Sequence, residues 1–317
     1  MKEKILVIYG GVSREREISL ISGQRVSRAL KRLGYQVTLF DLKRSNLASL
    51  TELKRHDLAF IALHGNFGED GKIQSLFDLM GMKYTGSSAL TSAICFDKNI
   101  TYQLTEKITT QPIHVKLSSC DDIEKLDWHH FPAIVKPNAE GSSIGIELIR
   151  NRKMLKSSLK RAINSYSGVL LEEFVAGREL SISVLEIDAK PVVLPILEIK
   201  PKRDFYDFDA KYTQGLTEFI VPASLDDHYT KRLEELASDI FSALGCRHMC
   251  RIDGIFSEGS FYFLEVNTIP GLTELSDMPQ SAAAMGMSFE DLINTIVREA
   301  LRKEKEVPTW NRCMEQQ

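Results

Sequence analysis

The chain has 317 residues, with 40 Lys and Arg against 43 Asp and Glu and a formal net charge of −3. That near-balance excludes bulk electrostatic attraction to nucleic acid or to an anionic membrane. At 43% hydrophobic and 26% charged residues the composition is globular, and the length exceeds one ordinary core, so two or three domains are expected.

In chain order, residues 4–9 predict a buried strand that ends in Gly10-Gly11. A helix from about Ile18 to Leu33 follows, closed by Gly34. Strands are expected from Gln36 to Phe40 and from Leu58 to Leu63. This βαβ rhythm predicts a doubly wound parallel sheet over residues 1–95. The Gly10-Gly11 turn is not G-x-G-x-x-G, and Asp41 is the one acid placed for a ribose, so dinucleotide binding is disfavoured. A second unit, 96–180, reads as α+β. A third, 181–317, ends in an amphipathic helix from about Phe289 to Lys303 and a polar tail from Glu304.

The cysteines (Cys95, Cys120, Cys246, Cys250 and Cys313) are odd in number and scattered. Cys246 and Cys250 are four apart, but no second pair or His cluster completes a zinc site, and Cys250 is expected to be packing. Free thiols, no signal-peptide pattern and no apolar run of about 18 residues predict a cytoplasmic protein.

Chemistry gathers in the second and third units. The run Arg251 to Phe256, the turn Ser257-Glu258-Gly259-Ser260 and the run Phe263 to Thr268 predict a hairpin. Glu265 and Asn267 are two apart and leave one face, and Asp253 lies on the facing strand. Three hard oxygen donors at one spot suit Mg²⁺ with nucleotide phosphates, and they equally suit the polar edge of an ordinary hairpin. Lys136 ends a strand and precedes the loop Pro137 to Gly145. There Lys supplies a point charge, and Gly and Ser let backbone N–H groups approach phosphate oxygens. A plain Gly/Ser turn is the alternative. The run Gly168 to Val175 predicts a strand whose Glu172 and backbone can read an adenine edge, with Glu179 placed for ribose hydroxyls. Acids on a solvated face are the alternative there.

Together these segments resemble the ATP-grasp superfamily, and within it the D-alanine–D-alanine ligase family, over nearly the whole chain. The resemblance is carried by Gly10 to Ser19, His64 to Gln74, Asp97-Lys98, the Lys136 to Gly145 loop, Glu172 to Glu179, Phe205 to Tyr212, Arg251-Ile252-Asp253 and Glu265 to Thr273. It implies an N-terminal α/β substrate-binding domain followed by a two-lobed ATP-grasp fold. It also implies an acyl-phosphate mechanism, ATP with two Mg²⁺ ions (Mn²⁺ substituting), D-alanine as substrate and a homodimer.

The resemblance further implies site roles. Lys98, Lys136, Glu172, Glu173, Phe174, Val175, Glu179 and Lys211 would hold the nucleotide, and Asp253, Glu265 and Asn267 the metal. Glu15 would anchor the first D-alanine's ammonium and join Ser142 and Tyr212 in one hydrogen-bonded group. Arg251 and the Gly271 N–H would stabilise the oxyanion, and Ser276 would take the second carboxylate. His64 would line the second subsite or serve as a satisfied structural residue. Segment 204–216 reads as a mobile lid. Tyr212 favours an amine acceptor over D-lactate. The chain departs from the family pattern at Asp277, an acid where an apolar residue is usual. It would either repel the second carboxylate or point away to cap the segment before Pro279.

Overall fold

The structure, a computed structural model, describes residues 2–141, 144–201 and 217–302. Ser142, Lys211, Tyr212, the lid segment 204–216 and the tail from Glu304 lie outside the described residues.

The first sheet is parallel and three-stranded, ordered β2 (Gln36–Leu42), β1 (Lys4–Gly10), β3 (Leu58–Ile61). Ile5 to Ile8 are wholly buried, as a central strand covered on both faces requires. The crossover helix α1 (Arg16–Arg32) lies close on β1 through small residues. A Cβ added at Gly23 would come within 2.3 Å of Tyr9 Cβ, so the approach depends on glycine. A 3-10 helix (Arg44–Leu53) leads into β3, and α2 (Lys72–Met80), α3 (Ala89–Phe96) and α4 (Lys98–Thr105) follow.

The second sheet is antiparallel, ordered β4 (His114–Leu117), β7 (Val169–Glu173), β5 (Ala133–Pro137), β6 (Glu147–Ile149). Helices α5 (Cys120–Lys125) and α6 (Arg152–Ser165) belong to this lobe. The third sheet is also antiparallel. It runs β11 (Thr217–Ile220), β10 (Leu197–Pro201), β8 (Arg178–Ile187), β12 (Met249–Ser257), β13 (Ser260–Asn267), and β9 (Lys190–Val193) pairs with β8. Helix α7 (Asp227–Ala243) covers β8 and β9.

Two last helices, α8 (Asp277–Ala284) and α9 (Phe289–Leu301), return to the first unit. Leu292, Ile293, Ile296, Val297 and Ala300 form one buried stripe at helical spacing. They share a core with Ile5, Val26 and Phe60 from the start of the chain. Ser288 begins α9 with a capping box to Asp291. Among the described residues no helix is long and apolar enough to cross a membrane.

Candidate active site

The β12–β13 hairpin sets Asp253 directly opposite Glu265 and Arg251 opposite Asn267. A β-bulge at Asp253/Gly254 disturbs the ladder there, a device that re-aims side chains. Arg251 grips Asp253 side-on: Nε donates to Oδ1 at 2.9 Å, and Nη2 donates to Oδ2 at 2.7 Å. Arg251 is 5% exposed. Burial works against its charge, yet the fields of Asp253 and Asp277 hold its pKa well above the ordinary arginine value. Asn267 Oδ1 accepts from Ile269 N at 2.9 Å, which fixes the amide plane.

Lys98 opens α4. Asp97 caps that helix by accepting from Ile100 N at 2.9 Å. Lys98 Nζ lies 3.0 Å from Glu265 Oε2 and donates to the Glu140 carbonyl at 2.7 Å, so the segment after Lys136 is tied to the hairpin. Lys136 Nζ is buried 2.8 Å from Glu172 Oε1, which also accepts from the Tyr102 hydroxyl at 3.0 Å. Burial, then the Glu172 charge, pushes the Tyr102 phenol well up. Glu172 therefore meets a cation inside the lobe. Glu173 Oε1 accepts from Ile113 N at 2.9 Å.

Glu15 precedes α1, and its backbone N–H donates to Ser13 Oγ at 3.1 Å. Ser13 Oγ donates in turn to the His64 carbonyl at 2.6 Å. The Glu15 carboxylate lies between two glycines: Cβ atoms built on Gly65 and Gly141 would fall 2.4 and 2.8 Å from its Oε2. His64 is 4% exposed, with Nε2 3.2 Å from Ser22 Oγ and Nδ1 3.6 Å from Glu69. It is a held side chain that also faces the site. Ser276 Oγ accepts from Thr273 N at 3.0 Å, and a Cβ on Gly271 would come within 2.7 Å of that oxygen.

Asp277 does not cap the segment before Pro279. It is 6% exposed at the first position of α8 and makes no cap. Its Oδ2 accepts from Ser181 Oγ at 3.0 Å and lies 3.4 Å from Arg251 Nε. The acid sits beside a buried cation that Asp253 already holds, so the Arg251 charge offsets part of its repulsion of an incoming carboxylate.

Two cavities of about 470 and 400 Å³ are built from these parts. Glu15, His64, Asn267, Gly271 and Ser276 line the first; Lys136, Glu172 to Val175, Glu179 and Asp253 line the second. Lys98, Glu140, Gly141, Arg251, Glu265 and Asp277 line both. Every expected site residue that is described therefore borders one cavity or the other. The sequence reading missed Arg25 and Arg28 on the first cavity, and Ile134, Ile144, Ile146 and Leu264, the apolar lining of the second. An α1 face of Ile18, Ile21, Arg25 and Arg28 at helical spacing was the available signal for the arginines. Nothing local marked Ser181 or Tyr102.

Among the described residues no three or more His, Cys, Asp or Glu side chains are gathered as for a metal ion. The expected donors are two carboxylates and an amide. Among the described residues at the junction of the cavities, the three carboxylates of Asp253, Glu265 and Asp277 lie with the two cations Arg251 and Lys98. Carboxylate and amide oxygen donors fit a hard divalent cation. Cys250 is fully buried on β12, and its thiol meets that of Cys246, which also contacts Cys95.

Two antiparallel lobes enclosing a cavity, one ending a strand in a buried lysine and the other carrying acids on a hairpin, define the ATP-grasp class. The chain matches the family model described as D-ala D-ala ligase C-terminus over residues 100–298, and that described as D-ala D-ala ligase N-terminus over residues 43–87. It is 46% identical over 300 residues to a D-alanine–D-alanine ligase from Thermotoga petrophila, covering 95% of this chain and 98% of that one. The D-alanine–D-alanine ligase of Bacillus anthracis complexed with ATP is 32% identical with a TM-score of 0.81, covering 95% of this chain and 98% of that chain. The VanG D-Ala:D-Ser ligase of Enterococcus faecalis is 28% identical with a TM-score of 0.79, covering 95% of this chain and all of that one. The chain belongs to the D-ala D-ala ligase family.

Proposed function

We propose that this chain is an ATP-dependent D-alanine–D-alanine ligase that makes D-alanyl-D-alanine for peptidoglycan precursors. One observation carries this: two cavities, one bordered by the expected amino-acid residues and one by the expected nucleotide residues, meet at Arg251, Lys98 and Glu265. A carboxylate from the first cavity thereby reaches a phosphate in the second.

The first D-alanine's carboxylate attacks the γ-phosphate, the bond from the γ-phosphorus to the β,γ-bridging oxygen breaks, ADP leaves, and an acyl phosphate forms. The second D-alanine's amine attacks that acyl carbon and expels phosphate. Both steps build negative charge, and preorganised cations and N–H donors suit it. Glu15, held between Gly65 and Gly141, takes the first ammonium. Arg251 and the Gly271 N–H take the oxyanion, and Ser276 takes the second carboxylate. Lys98 and Lys136 neutralise phosphate oxygens, Glu172 fixes Lys136, the backbone of Glu173 to Val175 reads adenine, and Glu179 takes the ribose. Asp253, Glu265 and Asn267 would hold Mg²⁺, two ions in the family pattern, which neutralises the β- and γ-phosphates when bound. Ser142, Lys211 and Tyr212 keep their expected roles in closing the site against water.

The units 1–95, 96–180 and 181–317 act as a substrate domain and two lobes that close on the nucleotide. The chain works in the cytoplasm, where ATP is available, and as a homodimer. Phosphate release measured across D-alanine, L-alanine, D-serine and D-lactate, with mass spectrometry of the products, tests the substrate choice. D-Alanine alone is expected to give rapid release and a dipeptide. Equal release with L-alanine contradicts the proposal.

A further inference from the structure

We propose that Asp277 is a second carboxylate for Arg251: when Asp253 turns to a divalent cation, Arg251 passes from Asp253 to Asp277 and so stays in the site. This rests on Asp253 being a metal ligand. In the structure Asp253 occupies Arg251 with both oxygens, at 2.9 and 2.7 Å. A carboxylate that also binds a cation shares its lone pairs and its charge between the two, so its hold on the guanidinium weakens. Arg251 is buried, and a buried guanidinium stripped of its partner is strongly unfavourable.

Asp277 supplies the replacement. Its Oδ2 already lies 3.4 Å from Arg251 Nε, just outside bonding distance. Ser181 Oγ is placed between the two acids, 3.1 Å from Asp253 Oδ1 and 3.0 Å from Asp277 Oδ2. Its single hydroxyl proton can serve one acid at a time, so it can follow the exchange. Asp277 is fixed for this by its place in the fold. It is the first residue of α8, where an acid suits the helix dipole, and α8 packs on β8, which carries Ser181. Asp277 is thus a positioning residue for Arg251.

The test is Mn²⁺ binding to the full chain in the presence of ADP, read by electron paramagnetic resonance of the free ion. Asp277→Asn keeps the side-chain size and is expected to raise the Mn²⁺ Kd about 10-fold, as loss of a supporting partner does. Loss of one nearby charge would also weaken binding, so the substitution is repeated in Asp253→Asn. There no exchange can occur, and the further increase is expected to stay below about twofold. An unchanged Kd in Asp277→Asn, or equal increases in both backgrounds, overturns the proposal. Absence of Mn²⁺ binding in the unmodified chain removes the metal assignment and this proposal with it. If Asp277→Asn does not fold, Ser181→Ala is measured instead, with the same rise and the same dependence on Asp253 expected.

Discussion

At the scale of single residues, Glu15 carries the proposed binding of the first D-alanine. Its carboxylate is buried between Gly65 and Gly141, where a charged ligand partner is worth more than in water. Glu15→Gln keeps the shape and removes the charge. A charge-assisted hydrogen bond is worth roughly 1.5–3 kcal/mol, so the first D-alanine KM should rise by about 10- to 100-fold with the fold intact. Gly65→Ala should raise the same KM by a different route. Gly65 has φ +70°, and its added Cβ would fall 2.4 Å from Glu15 Oε2, so the carboxylate must move. Steady-state kinetics with D-alanine checks both, and an unchanged KM in the pair removes Glu15 from the site. At the hairpin, Glu265→Gln and Asn267→Ala should each lower turnover by more than about 10-fold while thermal melting without ligand stays near normal. Near-normal turnover of both at ordinary Mg²⁺ contradicts the metal assignment.

Among the elements, the β8–β9 connection shows what a local pattern conceals. Asp188 and Ala189 both have positive φ, at 54° and 58°, an unfavourable turn for non-glycine residues. Glu299 on α9 compensates: its two oxygens accept from the N–H groups of Asp188 and Ala189 at 3.0 and 3.1 Å, and Arg302 Nη1 donates at 2.8 Å. Burial opposes ionisation of Glu299, but Arg302 and the two N–H donors hold its pKa below the ordinary glutamate value. A depressed carboxylate contributes stability above its unfolded pKa and loses it as pH falls through the folded value. Glu299→Gln should therefore be less stable than the parent at neutral pH. The gap should narrow as pH falls below about 4.3, read by denaturant melts across pH. A gap that widens in acid would contradict this sign. The α9 stripe was legible because it is periodic, and the β12–β13 hairpin because its turn and its alternation are local. The docking of α9 on the first sheet and on the 188–189 turn was not, since it joins the two ends of the chain. Ser181 was likewise hidden: only the β8–β12 register, Asp253 opposite Ser181, brings it to the site.

For the whole molecule, the central feature is the meeting of two cavities at one buried arginine. The sequence already held the residues expected for the nucleotide and those expected for the amino acids as separate groups, through local strand, turn and glycine-loop patterns and the family resemblance. It did not reveal that Lys98 links the groups through Glu265 and the Glu140 carbonyl, since those contacts cross between lobes. It also did not reveal which side chains meet Asp277, since Arg251 and Ser181 reach it through tertiary packing. The proposed function carries a specific chemical claim, that the carboxylate of one D-alanine attacks ATP and the second amine attacks the acyl phosphate so formed. D-Alanine labelled with ¹⁸O in its carboxylate tests this most directly. Attack by that carboxylate leaves its oxygen bridging carbon and phosphorus, and expulsion carries the oxygen away on phosphate. The account predicts one ¹⁸O in each inorganic phosphate released with D-alanyl-D-alanine, measured by mass spectrometry. Phosphate released without label, beside labelled dipeptide, would contradict it.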